Sequence, residues 1–310
     1  MQHFLTQDGC DIGARPIDLH LKGFEKLGIQ IIQNYGSIIC KTDGINGTKI
    51  NLDFPSVGAT ENIILASVLA KGTTQIFNAA REPEIVDLQN FLNKMGAKVN
   101  GAGTSEIEII GVERLKDVSY NAMPDRIETG TFLCFGAVTG GNLILENTNS
   151  MYITPIINKL SECGCKIEEG KNEIKIQGPK RLNSIDVKTM PYPGFPTDMQ
   201  SIFTAMLTTA KGTSIIVENI FENRFKYVQE LAKMGAKINV EGKSAVVRGV
   251  KKLYGANLKA TDLRGGAALV LAGLIAKHTT QIDEIDYILR GYENLDSKLR
   301  KIGADINILD

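Results

Sequence analysis

Apolar and polar positions along the chain follow two alternating periods. From Pro55 onward the run ATENIILASVLA carries apolar residues at helical spacing and stops at Lys71-Gly72, and TTQIFNA follows with the spacing of a strand. After a turn bearing Arg81, IVDLQNFLNKMG reads as a second amphipathic helix ending on Gly96, and AKVNG and EIEIIG read as two short strands. The unit is thus β-α-β-α-β-β. The same order recurs in ETGTFLCFGAVTGG with ITPIINKLSECG, in MQSIFTAMLTTAKG with KYVQELAKMG, and in GGAALVLAGLIAKH with ENLDSKLRKIG. Glycines that end the second helices, Gly28, Gly96, Gly164, Gly235 and Gly303, stand about 70 residues apart, a fixed period that signals a repeated supersecondary unit. His278 occupies the place of the glycine that ends the first helix in other copies and is read as structural, because histidine tolerates a left-handed cap better than most residues.

The first copy starts near the turn before its second helix, PIDLHLKGFEKLG, so the chain holds about four and a half units. SYNAMPDRIE, between the second and third copies, is the expected boundary between an incomplete first domain, residues 1–121, and a second domain, residues 122–310.

Aligning the copies places an arginine in the same turn four times, Arg15, Arg81, Arg224 and Arg290, with Ser150 near that place in the third copy. Such turns either inherit a structural arginine or converge on an anion, for which the guanidinium fork suits phosphate and carboxylate. An acid recurs at the start of the first helices, as Asp125, Asp198 and Asp262, where N-capping is the plain explanation. In the second copy Pro55-Ser56-Val57-Gly58 has no acid, which leaves helix-start N–H groups open to a phosphate. Cys10 lies in the glycine-rich stretch Asp8 to Pro16, five residues before Arg15. It is either a small apolar packing group or a thiol whose thiolate the arginine favours.

Composition narrows these choices. At 310 residues with 43% apolar content the chain is long enough for two domains. Equal numbers of basic and acidic residues, 35 each, give no sign of a nucleic-acid or anionic-membrane surface, so an anionic ligand must be met by local arginines. No stretch approaches a membrane span and MQHFLTQDGC is no signal peptide, so the cytoplasm is the expected compartment. Five cysteines, Cys10, Cys40, Cys134, Cys163 and Cys165, point to reduced thiols, of which the last four are expected to be mostly buried packing residues, and Cys163 with Cys165 do not make a zinc site. No glycine-rich phosphate loop ending in GK[ST] and no GxGxxG is present.

GCDIGARPIDLHLKG, AAREPEIVDL, PDRIETGTF, PYPGFPTDMQ and IFENRFKYVQEL, in that order, resemble the UDP-N-acetylglucosamine enolpyruvyl transferases along the whole chain. That resemblance implies an α/β fold of two inverted α/β barrels with helices inside, each of three β-α-β-α-β-β units, and an active site between them. It implies transfer of the enolpyruvyl group of phosphoenolpyruvate to the 3-hydroxyl of UDP-N-acetylglucosamine, the first committed step of peptidoglycan precursor synthesis, with no metal or cofactor. By matching position, Cys10 is implied as general acid, Asp198 as general base, and Arg15, Arg224 and Arg290 as contacts to phosphate and enolpyruvate. Pro16, Ile17, Asp18 and Leu19 match the segment that holds the uracil, and Ser56, Val57 and Gly58 match the diphosphate-binding helix start. Ile220 and Phe221 are expected near the sugar, with Asp262 and Arg264 as supports.

A lysine-asparagine pair and a further arginine from the family's N-terminal third have no match here. On the order of 100 residues are therefore expected to be missing, and the chain alone is expected to be inactive. A 3-phosphoshikimate 1-carboxyvinyltransferase-like enzyme is the nearest alternative, and a non-catalytic sugar-nucleotide-binding remnant the alternative from another class. On the transferase reading, fosfomycin, an epoxide mimic of phosphoenolpyruvate, labels Cys10 alone in protein extended to the family's full length. Peptide mass spectrometry checks this, and label mainly on Cys40, Cys134, Cys163 or Cys165 overturns it. Cys10→Asp keeps a proton donor without the nucleophile, so it should resist the epoxide and retain transfer.

Overall fold

The computed structural model describes residues 2–5, 17–34 and 37–309. Cys10, Arg15 and Pro16 lie outside the described residues. The chain divides into two compact units: one runs through Met123 and takes in Pro191–Pro193, and the other comprises Pro124–Met190 and the chain from Gly194 onward.

The first unit contains β1 (Gln2–Leu5), α1 (Asp18–Lys26), β2 (Gln30–Asn34), β3 (Ser37–Lys41), β4 (Lys49–Asn51), α2 (Val57–Ser67), β5 (Thr73–Phe77), α3 (Pro83–Lys94), β6 (Lys98–Asn100) and β7 (Glu106–Ile110). The complete copy forms a sheet of order β4-β5-β7-β6. β4 and β5 are parallel, which requires a crossover, and α2 supplies it; β6 and β7 add an antiparallel hairpin. The partial copy before it forms the sheet β1-β3-β2, in which β1 takes the place that β5 has in the complete copy.

The second unit contains α4 (Arg126–Thr139), β8 (Asn142–Glu146), α5 (Thr154–Glu162), β9 (Lys166–Glu169), β10 (Glu173–Gln177), β11 (Val187–Lys188), α6 (Gln200–Leu207), β12 (Thr213–Val217), α7 (Val228–Lys233), β13 (Lys237–Glu241) and β14 (Ser244–Arg248). It ends with β15 (Asn257–Lys259), α8 (Leu263–Ile275), β16 (Gln281–Asp283), α9 (Asp286–Leu289) and α10 (Leu295–Lys301). Its sheets are β8-β10-β9, β11-β12-β14-β13 and β15-β16. The last copy departs from the repeat, because residues 304–309 after α10 form no strand.

The architecture is α/β as expected, and among the described residues the strands form no closed barrel. Each hydrogen-bonded ladder is completed within its own copy, so the described strands fall into five separate sheets. In the second unit the copies meet through their first helices, α4, α6 and α8, which pack on one another. These are enclosed on every side: all eight residues of α6 are buried, as are Thr129–Ala137 of α4 and Gly265–Ala272 of α8. Glycines permit close packing around these helices, since a Cβ on Gly130 would meet Ile156 of α5 and Met199 in the turn before α6, and one on Gly266 would meet Ile288 of α9. The second helices α5, α7 and α10 bury only one stripe. Arg181 secures the far end of α6 by donating to the carbonyl oxygens of Thr209, Ala210 and Val250.

In the first unit α2 buries a single face, and Leu65 and Leu69 are 49% and 56% exposed. The glycines that end the second helices, Gly28, Gly96, Gly164, Gly235 and Gly303, all have positive φ, and His278 adopts φ 70° where the copies before it use glycine. Cys134, Cys163 and Cys165 are buried free thiols, whereas Cys40 is only half-buried, against the expectation that it packs in a core. β3 leaves it there because its burial runs partly exposed on both faces. Burial pushes Cys163 up to about 12 and Cys165 up to about 11, so both stay protonated thiols at neutral pH.

Truncating a side chain inside the buried helix trio should cost far more than truncating one on α2. Leu269→Ala is expected to lose about 2–5 kcal/mol in urea unfolding, and Leu65→Ala less than about 1 kcal/mol. Equal losses would show that α8 is not a fully packed core helix.

Candidate functional site

The N-terminal ends of α4, α6 and α8 carry a cluster of charged groups in the second unit. At α4, Asp125 caps the helix by accepting from the N–H groups of Ile127 and Glu128, and Arg126 follows it. At α8, Asp262 accepts from the N–H groups of Arg264 and Gly265. These two acids are caps, as their sequence position suggested.

Asp198 behaves differently. It sits in the 3-10 turn Thr197–Met199 leading into α6, and its carboxylate turns to two arginines. Oδ1 accepts from Arg224 Nη2 at 2.6 Å and Oδ2 from Arg264 Nη2 at 3.5 Å. The Arg224 side chain is 3% exposed and that of Asp198 is 39% exposed, so the pair has a buried cation and a half-open anion. Burial alone would raise the Asp198 carboxyl. The charges of Arg264 and Arg224, the hydrogen bond from Arg224 and the charge of Arg126 outweigh it and hold the carboxyl below its ordinary value. Helix-start dipoles of the same sign add to that field.

Arg264 lies with its guanidinium carbon 5.3 Å from the centre of the buried Tyr292 ring, and Tyr292 shares a 3.0 Å hydrogen bond with Thr131. Ser201 donates to the Arg264 carbonyl oxygen at 2.8 Å. Phe221 covers Arg224 at 5.3 Å, and the N–H groups of Ile220 and Phe221 donate to Glu218 Oε1. Buried Nε of Arg224 and Nη1 of Arg264 have no hydrogen-bond partner among the described residues. Two guanidinium groups with donors to spare around one carboxylate can receive an anion.

The turn arginines do not share one environment. Arg224 is buried, while Arg81 and Arg290 are exposed, the latter over the Tyr287 ring at 5.5 Å. In the third copy the equivalent turn is the 3-10 segment Ser150–Ile153, capped by Asn149.

In the first unit the starts of α1 and α2 come together. Ile17 is the N-cap residue of α1, Asp18 opens the helix, and Leu19 packs against the core. His20 bridges to α2: its Nδ1 is 2.8 Å from Asn62 Nδ2, and a Cβ on Gly58 would lie 3.2 Å from its ring. Burial lowers the His20 imidazole, against the opposing charge of Asp18. Ser56 caps α2 by accepting from Ala59 N–H at 3.4 Å, so one of the helix-start N–H groups read as open is engaged. Thr60 then ties α2 to the Arg81 turn by accepting from Ala80 N–H at 3.0 Å.

Sequence reasoning missed His20, Arg126, Glu218 and Tyr292. His20 stood within the quoted RPIDLH and Arg126 within PDRIETGTF, yet nothing in their spacing tied either to a partner. Among the described residues no group of three or more His, Cys, Asp or Glu is placed to hold a metal ion.

The model of the EPSP synthase (3-phosphoshikimate 1-carboxyvinyltransferase) family matches residues 4–299. A UDP-N-acetylglucosamine 1-carboxyvinyltransferase 1 of Caldanaerobacter subterraneus subsp. tengcongensis is 56% identical over 298 residues, covering 96% of this chain and 72% of the relative. The chain belongs to the enolpyruvyl transferases, and among them to the UDP-N-acetylglucosamine 1-carboxyvinyltransferase family. It is thus by family a carboxyvinyl transferase. A family member from Thermodesulfovibrio yellowstonii is 55% identical with the same coverage of both chains. The crystal structure of the enolpyruvyl transferase NikO from Streptomyces tendae superposes with a TM-score of 0.87 at 26% identity, covering 95% of this chain and 72% of that one. An EPSP synthase from Acinetobacter baumannii, 19% identical with a TM-score of 0.74 and covering 96% and 72%, shares the fold.

Asp198 should titrate below the ordinary carboxylate range, and Arg264→Gln should move its midpoint upward by removing one positive charge. Stability from the ion pairs is then fully present above the unfolded carboxyl value and is lost as pH falls through the lower folded value. Carbon-13 carboxyl NMR across a pH series checks both; an unmoved midpoint in Arg264→Gln would separate Arg264 from the site.

Proposed function

We propose that this protein transfers the enolpyruvyl group of phosphoenolpyruvate to the 3-hydroxyl of UDP-N-acetylglucosamine and releases phosphate. The observation that carries this reading is Asp198 held between Arg224 and Arg264 at the starts of buried helices. A carboxylate with two guanidinium groups can accept a hydroxyl proton while the cations receive an anionic co-substrate.

The reaction is an addition followed by an elimination. A proton donor, assigned to Cys10, protonates the methylene carbon of phosphoenolpyruvate, which leaves the adjacent carbon electrophilic. The sugar 3-oxygen bonds to that carbon and gives its proton to Asp198. From the tetrahedral intermediate the carbon-to-phosphate oxygen bond breaks and phosphate departs, while the methyl group returns a proton to the donor that the first step left deprotonated, which restores the double bond. Arg15, Arg224 and Arg290 are assigned to the phosphate and carboxylate charges, with Asp262 and Arg264 as supports.

Asp198 is a weak base while both arginines face it. An anion that engages one guanidinium withdraws positive charge from the carboxylate and raises its basicity as the co-substrate arrives. Pro16, Ile17, Asp18 and Leu19 are assigned to the uracil, Ser56, Val57 and Gly58 to the diphosphate, and Ile220 and Phe221 to the sugar. On this reading residues 1–121 and 122–310 are the two domains, the compartment is the cytoplasm, the pathway is cell-wall precursor synthesis, and fosfomycin reacts at Cys10.

The test, in protein extended to the family's full length, is phosphate release from phosphoenolpyruvate with UDP-N-acetylglucosamine, compared with shikimate 3-phosphate as acceptor. Release with the second acceptor alone would favour the 3-phosphoshikimate reading. Asp198→Asn keeps an oxygen for Arg224 but loses the base, so turnover should fall roughly 100-fold or more while cooperative unfolding persists. Near-normal turnover in Asp198→Asn would remove Asp198 from the chemistry.

A further inference from the structure

Glu218, immediately after β12, is 1% exposed, and among the described residues every hydrogen bond its carboxylate accepts comes from a neutral donor. Oε1 accepts from the Thr189 hydroxyl at 2.9 Å and from the N–H groups of Ile220 at 2.8 Å and Phe221 at 3.2 Å. Oε2 accepts from the Thr197 hydroxyl at 2.9 Å. Thr189 is itself committed, because its oxygen accepts from Asn219 N–H at 2.9 Å while its carbonyl accepts from Asn219 Nδ2 at 2.9 Å.

A buried carboxylate is costly unless its oxygens are satisfied, and here four donors converge on it. An amide would present one acceptor oxygen and one donor nitrogen, so it cannot accept from all four. The donors come from two segments. Thr197 immediately precedes Asp198, and Phe221 lies three residues before Arg224, whose guanidinium it covers. The two segments carry the members of the 2.6 Å ion pair.

We infer that Glu218 is a positioning residue of the transfer site, whose carboxylate holds the Asp198 turn and the Arg224 loop in register. The inference rests on the reading of Asp198 as part of that site and adds a residue that touches no reacting atom in it. Thr197 transmits the constraint on one side and the Ile220 and Phe221 N–H groups transmit it on the other. Loss of either side loosens the Asp198 to Arg224 contact, and small displacements of reacting groups lower turnover by up to about 100-fold.

Four variants test this in the full chain: Glu218→Gln, Thr197→Val, Thr197→Ser and the double Glu218→Gln/Thr197→Val. The first readout needs no activity: the Asp198 carboxyl midpoint followed by carbon-13 NMR. It should rise in Glu218→Gln and in Thr197→Val, return to the unsubstituted value in Thr197→Ser, which keeps the hydroxyl, and rise no further in the double variant. Where phosphate release is measurable, kcat should fall about 10- to 100-fold in the first two, with little change in KM. Should Glu218→Gln fail to fold, the Thr197 pair decides alone. Lowered thermal stability with an unmoved Asp198 midpoint would make Glu218 a structural acid and overturn the inference. Absence of phosphate release by unsubstituted protein extended to the family's full length counts against the proposed reaction, and the carboxyl titration still decides the role of Glu218.

Discussion

The burial of α4, α6 and α8 on every side is the constraint on which the second unit depends. Helices with no polar face cannot meet water, so each must be enclosed by the other two and by the sheets and outer helices of its own copy. Their side chains have no room for charge, and the chemistry is therefore displaced to their ends. Asp125, Arg126, Asp198, Asp262 and Arg264 all stand within the first turn of, or immediately before, one of these three helices. Packing the helices together brings those ends together, and the ion pairs follow from the packing.

Within that cluster the balance between desolvation and Coulomb attraction determines each state. Arg224 is enclosed, and without a carboxylate its buried charge would be strongly unfavourable. Asp198 supplies the carboxylate while keeping part of its surface open, so the attraction wins and the acid stays ionised. Glu218 solves the opposite problem, an enclosed anion held by hydroxyl and backbone donors. One acid thus depends on charge and the other on hydrogen bonds, and the two meet at the Thr197–Asp198 step.

Much of this was legible because repeats expose their own grammar. The helix-ending glycines marked left-handed positions, His278 was readable as a substitute for one of them, and Asp125 and Asp262 were readable as caps. The separation into individual sheets was not legible, since alternation identifies a strand but not which neighbour completes its ladder. Cys40 was misplaced for a related reason: its strand has an apolar pattern, but its exposure depends on what covers the sheet. Glu218 escaped because an acid after a strand looks solvated, and only the folded positions of Thr189 and Thr197 reveal that it is enclosed. The turn arginines shared a sequence position without sharing an environment, because burial at a turn depends on the elements packed over it.

Arg181 anchors one end of α6. Its guanidinium ties together three backbone carbonyls just beyond the C-terminal end of α6, two from the turn that follows the helix and one from the segment after β14. The opposite end is held as well, since Thr197 donates to Glu218, Arg224 donates to Asp198 and Ser201 donates to the Arg264 carbonyl oxygen. A short helix pinned at both ends acts as a strut, and the carboxylate before it inherits its place from backbone and side-chain anchors on either side.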